Sequence, residues 1–285
     1  MLVYLVYKFT EFIAIVLPYP LAYAFAVASA RLWYATGVNV GVIKKNISRV
    51  LNLDIEDPEV HRIAVKVFLN WGKNVTDFMR HRVVSRESLR SRVTVEGLEY
   101  LDAALKEKKG IVIISSHIGN FEWGACRLAV EGYKIWGVSL FRKSERMNRF
   151  FKAMRMTKGL KTLYINKIIH IFRHLKNNEI MAIPSDWAPT GNPNRAFKLF
   201  GRRVELPTGA LQIALRSGAP LVPSFIWRDG KYTHHLVIRK PIELDREGDK
   251  KELISKNMNK VIAVMEAHIK EHIDEWELFH DIWID

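Results

Sequence analysis

The residues best suited to chemistry lie in the segment Ser115–Glu122, which reads Ser-Ser-His-Ile-Gly-Asn-Phe-Glu. His117 can serve as a general base at neutral pH, because an imidazole with an ordinary pKa of about 6.5 is mostly unprotonated there. Glu122 follows five residues later, and its carboxylate can reach back to the ring, fix the tautomer and stabilise the imidazolium. The pair therefore suits the removal of a proton from a hydroxyl nucleophile.

The elements around this segment support that interpretation. It follows the apolar run Ile111–Ile114 and precedes a predicted helix, which is where open α/β sheets place their sites. Gly119 permits a tight turn, and Asn120 is a plausible N-cap, which puts Glu122 in the first helical turn. The structural alternative is a loop histidine beside a glutamate that merely favours the helix dipole.

Short β-branched runs alternate with helical segments after about residue 93, whereas residues 1 to about 90 have a helical pattern. We predict strands at Ile111–Ile114, Ile135–Leu140, Ile180–Pro184, Leu221–Trp227 and His235–Ile238, and helices at Val60–Met79, Glu122–Glu131, Met147–Met156, Ile168–Asn177, Gly209–Ser217 and from Lys250 to about Trp276. This alternation predicts an α/β fold with a central mixed sheet flanked by helices, behind a helical N-terminal section.

The N-terminal segment 12–30 contains no charged residue. A helix at the membrane surface, a single span, a cleaved signal peptide ending near Ala28-Ser29-Ala30 and a soluble core helix are all compatible with it. Pro18 and Pro20 interrupt the segment and favour a broken helix over a straight span. Membrane association is the leading interpretation.

The charge balance favours anionic partners. The chain has 44 Lys plus Arg against 30 Asp plus Glu, a formal charge of +14, which suits nucleic acid, anionic lipid headgroups or an acidic carrier protein. The segment Arg142–Lys176 has eleven basic residues against one acid, Glu145, interleaved with the apolar stripe Met147, Phe150, Phe151 and Met154. A membrane or carrier surface and a solvated face over a core stripe both fit, and a second basic run, 80–92, could extend such a surface.

Several site classes find no support. Cys126 is the only cysteine, which excludes an intramolecular disulfide framework and a cysteine-rich zinc site. We find no zinc finger, RNP-like aromatic motif or basic-zipper heptad that would indicate nucleic-acid binding. His170 and His174 could share a helix face, but two ligands without a third are usually surface histidines. We therefore predict no metal site.

Four sequence blocks, taken in order, resemble the bacterial lipid A late acyltransferase family of the lysophospholipid acyltransferase superfamily, which shares a His-x4-Asp/Glu motif. The blocks are Asn46 after a basic pair, the segment from Val95-Glu96-Gly97 through Gly110 to Glu122, the segment Asp186–Gly191 followed by Phe200-Gly201 and Pro207-Thr208-Gly209, and the tail Trp276–Trp283. The resemblance covers nearly the whole chain. It departs from the family at Ile47, where leucine is usual, and at Trp187, where glutamine is common.

The resemblance implies roles for individual residues. His117 would be the base and Glu122 its orienting carboxylate. Arg142 would bind substrate phosphate or stabilise an oxyanion, Asp186 would position Arg142 or the acceptor, and Asn120 would contact substrate. The Glu-Gly-Thr-Arg block of the glycerophosphate branch is absent from the sequence, which argues against phosphatidic acid synthesis.

The resemblance also implies a function. We expect an O-acyltransferase that moves a fatty acyl group from acyl carrier protein or coenzyme A to a hydroxyl of a glycolipid, a lipid A precursor first of all, with no cofactor. Residues 1–35 would be the membrane-associating segment and residues 36–285 the acyltransferase domain, at the cytoplasmic face of a bacterial inner membrane. The alternatives are another glycolipid, such as a phosphatidylinositol mannoside, or a non-catalytic lipid- or nucleic-acid-binding protein.

Overall fold

The structure is a computed structural model that describes residues 2–187 and 196–284. Its helices are α1 Leu2–Val16, α2 Tyr19–Ala35, α3 Val40–Leu51, α4 Pro58–Met79, α5 Arg86–Arg92, α6 Leu98–Lys106, α7 Phe121–Val130, α8 Glu145–Met156, α9 Ile168–Lys176, α10 Gly209–Ser217 and α11 Lys250–Glu271. Its strands are β1 Val93–Glu96, β2 Ile111–Ser115, β3 Ile135–Ser139, β4 Lys161–Tyr164, β5 Ile180–Pro184, β6 Ala196–Leu199, β7 Arg202–Glu205, β8 Leu221–Arg228 and β9 His234–Ile238.

Seven of these strands form one sheet, in the order β1-β9-β8-β2-β5-β3-β4. The described strands of this sheet pair in parallel except β8 with β9, which are antiparallel. The sequence prediction of an α/β fold with a central mixed sheet is confirmed, although the sheet is mostly parallel. All five predicted strands are present within one or two residues.

Strand β2 lies in the middle of the sheet, and helices cover both of its faces. Val112 and Ile114 pack into one apolar cluster, whereas Ile111 and Ile113 pack into the other. Successive side chains of a strand point to opposite faces, so a strand covered on both sides is apolar at every position. This explains the continuous β-branched run from which β2 was predicted.

The elements missed by sequence analysis are short and partly exposed. β1 and β4 are four-residue strands at the two edges of the sheet, and β6 and β7 form a separate antiparallel hairpin. The hairpin turns at Phe200 and Gly201, both of which have positive φ, as the favoured two-residue turns require. The C-terminal helix ends at Glu271, earlier than predicted, and a short 3-10 turn follows it.

The N-terminal helices pack against α4. The predicted interruption is confirmed, since α1 ends at Val16 and α2 begins after Pro18. Gly72 of α4 lies so close to α2 that a Cβ atom there would stand 3.0 Å from the carbonyl oxygen of Ala26. The buried carboxylate of Asp77, also on α4, accepts a hydrogen bond from the Tyr23 hydroxyl at 2.7 Å. These contacts join the N-terminal section to the rest of the fold.

None of the helices in the described ranges is both long and apolar enough to cross a membrane. α1 and α2 nevertheless expose large apolar side chains, namely Val3, Leu5, Val6, Phe9, Phe12, Val16, Leu21, Phe25 and Leu32. The association of residues 1–35 with a membrane, and their separation from residues 36–285 as a domain, both stay predictions.

The apolar stripe on α8 belongs to the interior of the protein. Met147, Phe150 and Met154 are buried, and Phe150 and Met154 pack with Phe78 of α4 in one cluster. The sequence left open whether this stripe contacts a membrane or carrier protein or belongs to the core. Its burial favours the core. The charged residues of α8 other than the buried Arg155 lie on its exposed side, among them Arg149.

The second basic run, 80–92, is engaged mainly within the protein. Arg80 donates hydrogen bonds to carbonyl oxygens at the end of α1, including that of Leu17 at 2.8 Å. Arg82 forms an ion pair with Glu11 at 2.8 Å. Such contacts satisfy carbonyl groups that a helix end leaves without partners, so this run stabilises the N-terminal section.

Candidate active site

The candidate active site lies where β2 and β5 end side by side. These neighbouring strands are parallel, with Ser115 opposite Pro184, so their carboxyl ends reach the same edge of the sheet. The chain leaves β2 into the loop that carries His117, and it leaves β5 toward Asp186. Two residues that are 69 positions apart in the chain therefore meet at the sheet edge where α/β proteins place their sites.

The Asp186 carboxylate holds both the side chain and the backbone of His117. Its Oδ1 lies 2.6 Å from Nδ1 of the imidazole, and its Oδ2 accepts a hydrogen bond from the backbone N–H of His117 at 2.8 Å. Oδ2 also accepts one from Nε1 of Trp276 at 3.0 Å. Since an ionised carboxylate only accepts hydrogen bonds, Nδ1 carries the proton and Nε2 keeps a free lone pair.

The electrostatics of this pair favour a charged Asp186. Burial works to raise the pKa of the Asp186 carboxyl, but the neighbouring His117 and its hydrogen bonds outweigh burial and lower that pKa. Burial also works to lower the pKa of His117, but the charge and hydrogen bond of Asp186 prevail and raise it. The imidazole is thus a stronger base than an ordinary histidine, and the carboxylate beside it stays ionised.

The predicted contact between Glu122 and His117 is wrong. Glu122 does lie in the first turn of α7, but its carboxylate pairs with Arg155, whose Nε donates to Oε2 at 2.8 Å. Nη1 of Arg155 also donates to the Ser139 hydroxyl at 2.7 Å. Glu122 therefore faces β3 and α8, and the His117 ring takes its carboxylate from the end of the adjacent strand. The negative charge of Glu122 contributes to raising the pKa of His117 without a direct bond.

Asn120 and Gly119 shape the loop after His117. Oδ1 of the Asn120 side chain accepts a hydrogen bond from the backbone N–H of Trp123 at 3.1 Å. The prediction that Asn120 is the N-cap of α7 is therefore confirmed. Gly119 has a φ of 55°, and a Cβ atom there would lie 2.4 Å from the carbonyl oxygen of Ile226. Only glycine permits this close approach of the loop to β8.

Arg142 lies beyond the end of β3, apart from Asp186. Its guanidinium stacks over the Phe151 ring, 4.1 Å from the centroid, and the Asn148 side chain bonds its backbone N–H at 3.0 Å. The expectation that Asp186 positions Arg142 is wrong, because Asp186 bonds His117 and Trp276. Burial and then the charge of Arg155 lower the pKa of Arg142, whereas the charge of Glu122 works to raise it.

The C-terminal tail completes the site, and sequence analysis did not predict how. The backbone N–H of Glu277 donates to the His117 carbonyl oxygen at 2.7 Å, and the N–H of Gly119 donates to the Glu275 carbonyl oxygen at 2.9 Å. Trp276, between these two, bonds Asp186. The tail thus pairs with the loop of the base as a strand would.

Asn46 fixes the other end of this tail. Its Oδ1 accepts a hydrogen bond from Nε1 of Trp283 at 2.8 Å, and its Nδ2 donates to the Leu278 carbonyl oxygen at 2.8 Å. Asn46 is almost fully buried. In the sequence, only the resemblance of successive blocks to one family indicated that Asn46 and the tail belong to the same site. The structure shows that they are joined by direct hydrogen bonds.

Trp187, the residue after Asp186, packs against the C-terminal tail. Its ring stacks on His280, with the ring centroids 3.8 Å apart and the planes inclined by 6°. Burial and then the charge of His117 lower the pKa of His280, whereas the charge of Asp186 works to raise it. Ala188 to Gly191, the remainder of that predicted block, lie outside the described residues.

An apolar cavity opens beside the base, between α7 and the sheet. Its apolar walls include Ile113, Phe121, Leu128, Ile135, Val138 and Leu160. Its polar members are the Glu122–Arg155 pair, Ser115, Ser139 and Ser224. Phe121 links the cavity to the base, because its ring packs edge-on against the His117 ring at 5.3 Å. The cavity therefore places an apolar surface close to the His117 ring.

His170 and His174, the histidine pair considered as metal ligands, lie away from these residues on α9. Nδ1 of His174 is 2.7 Å from Oε2 of Glu179, and Nε1 of Trp136 donates to the same oxygen at 2.7 Å. His174 thus belongs to a structural cluster with Glu179 and Trp136 at the far end of β5.

The comparison with protein families decides the family of this chain. The family described as bacterial lipid A biosynthesis acyltransferase matches residues 1–284. The chain belongs to that family. The resemblance inferred from the four sequence blocks is confirmed, and both the family and the relatives below are acyltransferases, as predicted.

Two curated relatives are similar over 201 residues. The chain is 25% identical to the phosphatidylinositol mannoside acyltransferase of Mycobacterium tuberculosis strain CDC 1551 / Oshkosh and 23% identical to that of strain ATCC 25618 / H37Rv. Each alignment covers 66% of this chain and 61% of the relative's length. The crystal structure of the 1-acyl-sn-glycerophosphate (LPA) acyltransferase PlsC from Thermotoga maritima aligns with 87% of this chain and 97% of its own, at 15% identity and a TM-score of 0.38, too low to support further comparison.

Replacing Asp186 by asparagine should lower the pKa of His117. In the native protein the imidazole should titrate above about 6.5, its ordinary value, because of the adjacent carboxylate. The amide removes that charge while burial stays, so the pKa should fall. Titration of the His117 ring protons by NMR measures both values.

Glu179→Gln is the matched control, because it removes a carboxylate that bonds a different histidine, His174. It should leave the His117 titration where it was. An unchanged His117 pKa in Asp186→Asn would contradict the assignment of this pair.

Proposed function

We propose that the protein is an O-acyltransferase that moves a fatty acyl group from a thioester to a hydroxyl of a glycolipid. The observation that carries this proposal is the His117–Asp186 pair at the end of the parallel strands, next to an apolar cavity. A base with a raised pKa can activate a hydroxyl, and the cavity can hold an acyl chain within reach of that base. Membership of the family supports the same reaction.

The reaction needs one proton carrier. Nε2 of His117 takes the proton from the acceptor hydroxyl while its oxygen attacks the thioester carbonyl carbon. The tetrahedral intermediate then breaks the carbon–sulfur bond, and the imidazolium returns the proton to the leaving thiolate. Asp186 keeps Nδ1 protonated and stabilises the charged ring between the two transfers. General acid–base catalysis of this kind contributes about 10²–10⁴-fold.

Glu122 and Arg155 contribute to the cavity and not to proton transfer in this proposal. Both side chains are nearly buried, with 15% and 9% of their surface exposed, and both line the cavity. A paired charge costs less to bury than a single one, so the ion pair can stand beside an acyl chain. Arg142, which lies nearby, is the residue we propose for binding substrate phosphate or the developing oxyanion.

The acceptor is proposed by class. Membership of the lipid A biosynthesis family favours a lipid A precursor, whereas the curated relatives are phosphatidylinositol mannoside acyltransferases and favour a mannoside glycolipid. Both acceptors offer sugar hydroxyls and anionic phosphate groups. The exposed basic residues of α8, among them Arg146, Arg149 and Lys152, suit that phosphate or an acidic acyl carrier protein.

We propose that the exposed apolar face of α1 and α2 rests on the cytoplasmic surface of the bacterial inner membrane. Val3, Leu5, Val6 and Phe9 are each more than half exposed on α1. A solvent-facing patch of that kind is unusual unless a membrane or a partner covers it. At the membrane surface, the protein would have direct access to its glycolipid acceptor and could release its acylated product into the bilayer.

The reaction itself is tested with His117→Ala. Purified protein is incubated with lipid A precursor or phosphatidylinositol mannoside and a panel of acyl-carrier-protein and coenzyme A thioesters, and the lipids are analysed by mass spectrometry. Wild-type protein should add one acyl mass to one acceptor. The variant should lose at least about 10²-fold in rate, because the proton carrier is gone.

His170→Ala, a histidine on α9, is the matched control and should keep the wild-type rate. Equal rates for His117→Ala and wild type would refute the base assignment. If no thioester is transferred or hydrolysed in a His117-dependent manner, the protein is a binder and the proposed reaction is wrong.

Gly137→Val should shorten the preferred acyl chain. Gly137 lines the cavity, and a Cβ atom there would meet its nearest neighbour at 3.8 Å, so valine fits the strand but takes space from the cavity. The chain-length preference of wild type and variant is compared over a series of thioesters. Ala196→Val in β6, outside the cavity wall, should leave that preference unchanged, and an identical profile for Gly137→Val would place the acyl chain elsewhere.

Membrane binding is tested with the double variant Leu5→Glu, Phe9→Glu. Two charges on the exposed face of α1 should reduce co-sedimentation with anionic lipid vesicles, because a charged side chain does not partition into the acyl region. Leu53→Glu, Ile55→Glu, which changes two exposed residues after α3, is the control. Equal sedimentation of both double variants would refute α1 as the membrane face.

A further inference from the structure

The C-terminal end of α11 and its cap residue, His272, carry a cluster of metal-ligating side chains. One ligand atom from each of His268, Glu271 and His272 lies within 4.8 Å of the other two. The histidines are four residues apart, which brings them to one face of a helix. Zinc forms bonds of about 2.0–2.2 Å to imidazole and carboxylate, so an ion fits between these atoms after small side-chain adjustments.

Both imidazoles have an unused nitrogen in the interior. Nε2 of His268 and Nε2 of His272 are buried, and within the described ranges of the chain neither has a hydrogen-bond partner. His268 is only 4% exposed. Buried polar atoms nearly always have a partner, so two neighbouring ring nitrogens without one point to a bound group.

Aromatic neighbours hold both rings in place. His268 stacks on Phe225 with the centroids 4.2 Å apart, and His272 stacks on Trp227, also at 4.2 Å. These residues come from the buried strand β8. A site whose ligands are already oriented loses less conformational entropy on binding.

Charged groups of both signs surround the cluster. Arg239 opposes a cation, since its charge acts on His268, whereas Glu271 and Asp274 act on His272 in the opposite sense. The carbonyl end of α11 adds further negative potential.

We infer that His268, Glu271 and His272 form a binding site for a divalent transition-metal ion of the zinc class. Two imidazoles and one carboxylate are a ligand set that zinc accepts, with water in the remaining position. The site is separate from the His117–Asp186 pair and does not depend on the proposed acyl transfer. The chain leaves it directly into the turn Ile273–Glu275, so a bound ion would fix the start of the tail segment that pairs with the His117 loop.

Zinc titration of the full chain tests this inference. Chelator-treated protein is titrated with Zn²⁺ by calorimetry, and with Co²⁺ while its visible ligand-field bands are recorded. Wild type should bind one ion per chain at this site. His268→Ala and His272→Ala should each weaken zinc binding by at least about tenfold, the range seen when even an outer partner of a metal ligand is lost.

The double variant His170→Ala, His174→Ala is the matched control, because it removes the other pair with the same spacing and should leave zinc affinity unchanged. Glu271→Gln, whose side chain is 66% exposed, weakens binding without disturbing the core and decides the matter if His268→Ala fails to fold. The inference is overturned if wild type shows no saturable binding, or if His272→Ala and Glu271→Gln bind as wild type does.

Discussion

The buried carboxylate of Asp186 is the interaction on which the rest of the site depends. It is fully inaccessible to solvent, so its charge is tolerable only because donors surround it. Two of these come from His117 and one from Trp276. A single carboxylate thereby fixes the His117 ring, the His117 backbone, and the tail that pairs with the His117 loop. Its position at the end of β5, beside the end of β2, follows from parallel strand pairing.

These contacts explain why sequence blocks that lie far apart in the chain depend on one another. Asn46 holds the tail through Trp283 and Leu278, and the tail holds Asp186 through Trp276. Each contact buries a polar group that would be costly without its partner. Sequence blocks that lie far apart in the chain therefore supply hydrogen-bond donors and acceptors to one another.

Sequence patterns predicted the features that depend on neighbouring residues in the chain, such as a buried strand or a helix cap. The run Ile111–Ile114 was recognisable because a strand buried on both faces is apolar throughout, and Asn120 because a cap satisfies the N–H groups of its own helix. The carboxylate that bonds the His117 ring could not be found in this way. Glu122 was the nearest acid in the chain, but Asp186 is the nearest in space, and only strand order reveals that. The stripe on α8 was ambiguous for a similar reason, since nothing local distinguishes a lipid from α4 as the surface that covers Phe150.

The pairing of the tail with the His117 loop has a consequence for biosynthesis. A ribosome produces β2 and β5 long before it reaches Glu275 and Glu277, so the sheet can form while the carbonyl oxygen of His117 and the N–H of Gly119 still lack their partners. Until Trp276 is added, Asp186 also lacks one of its donors. The nascent chain therefore carries His117 and Asp186 in an unfinished setting until the segment Glu275–Glu277 has been synthesised and has paired with the His117 loop.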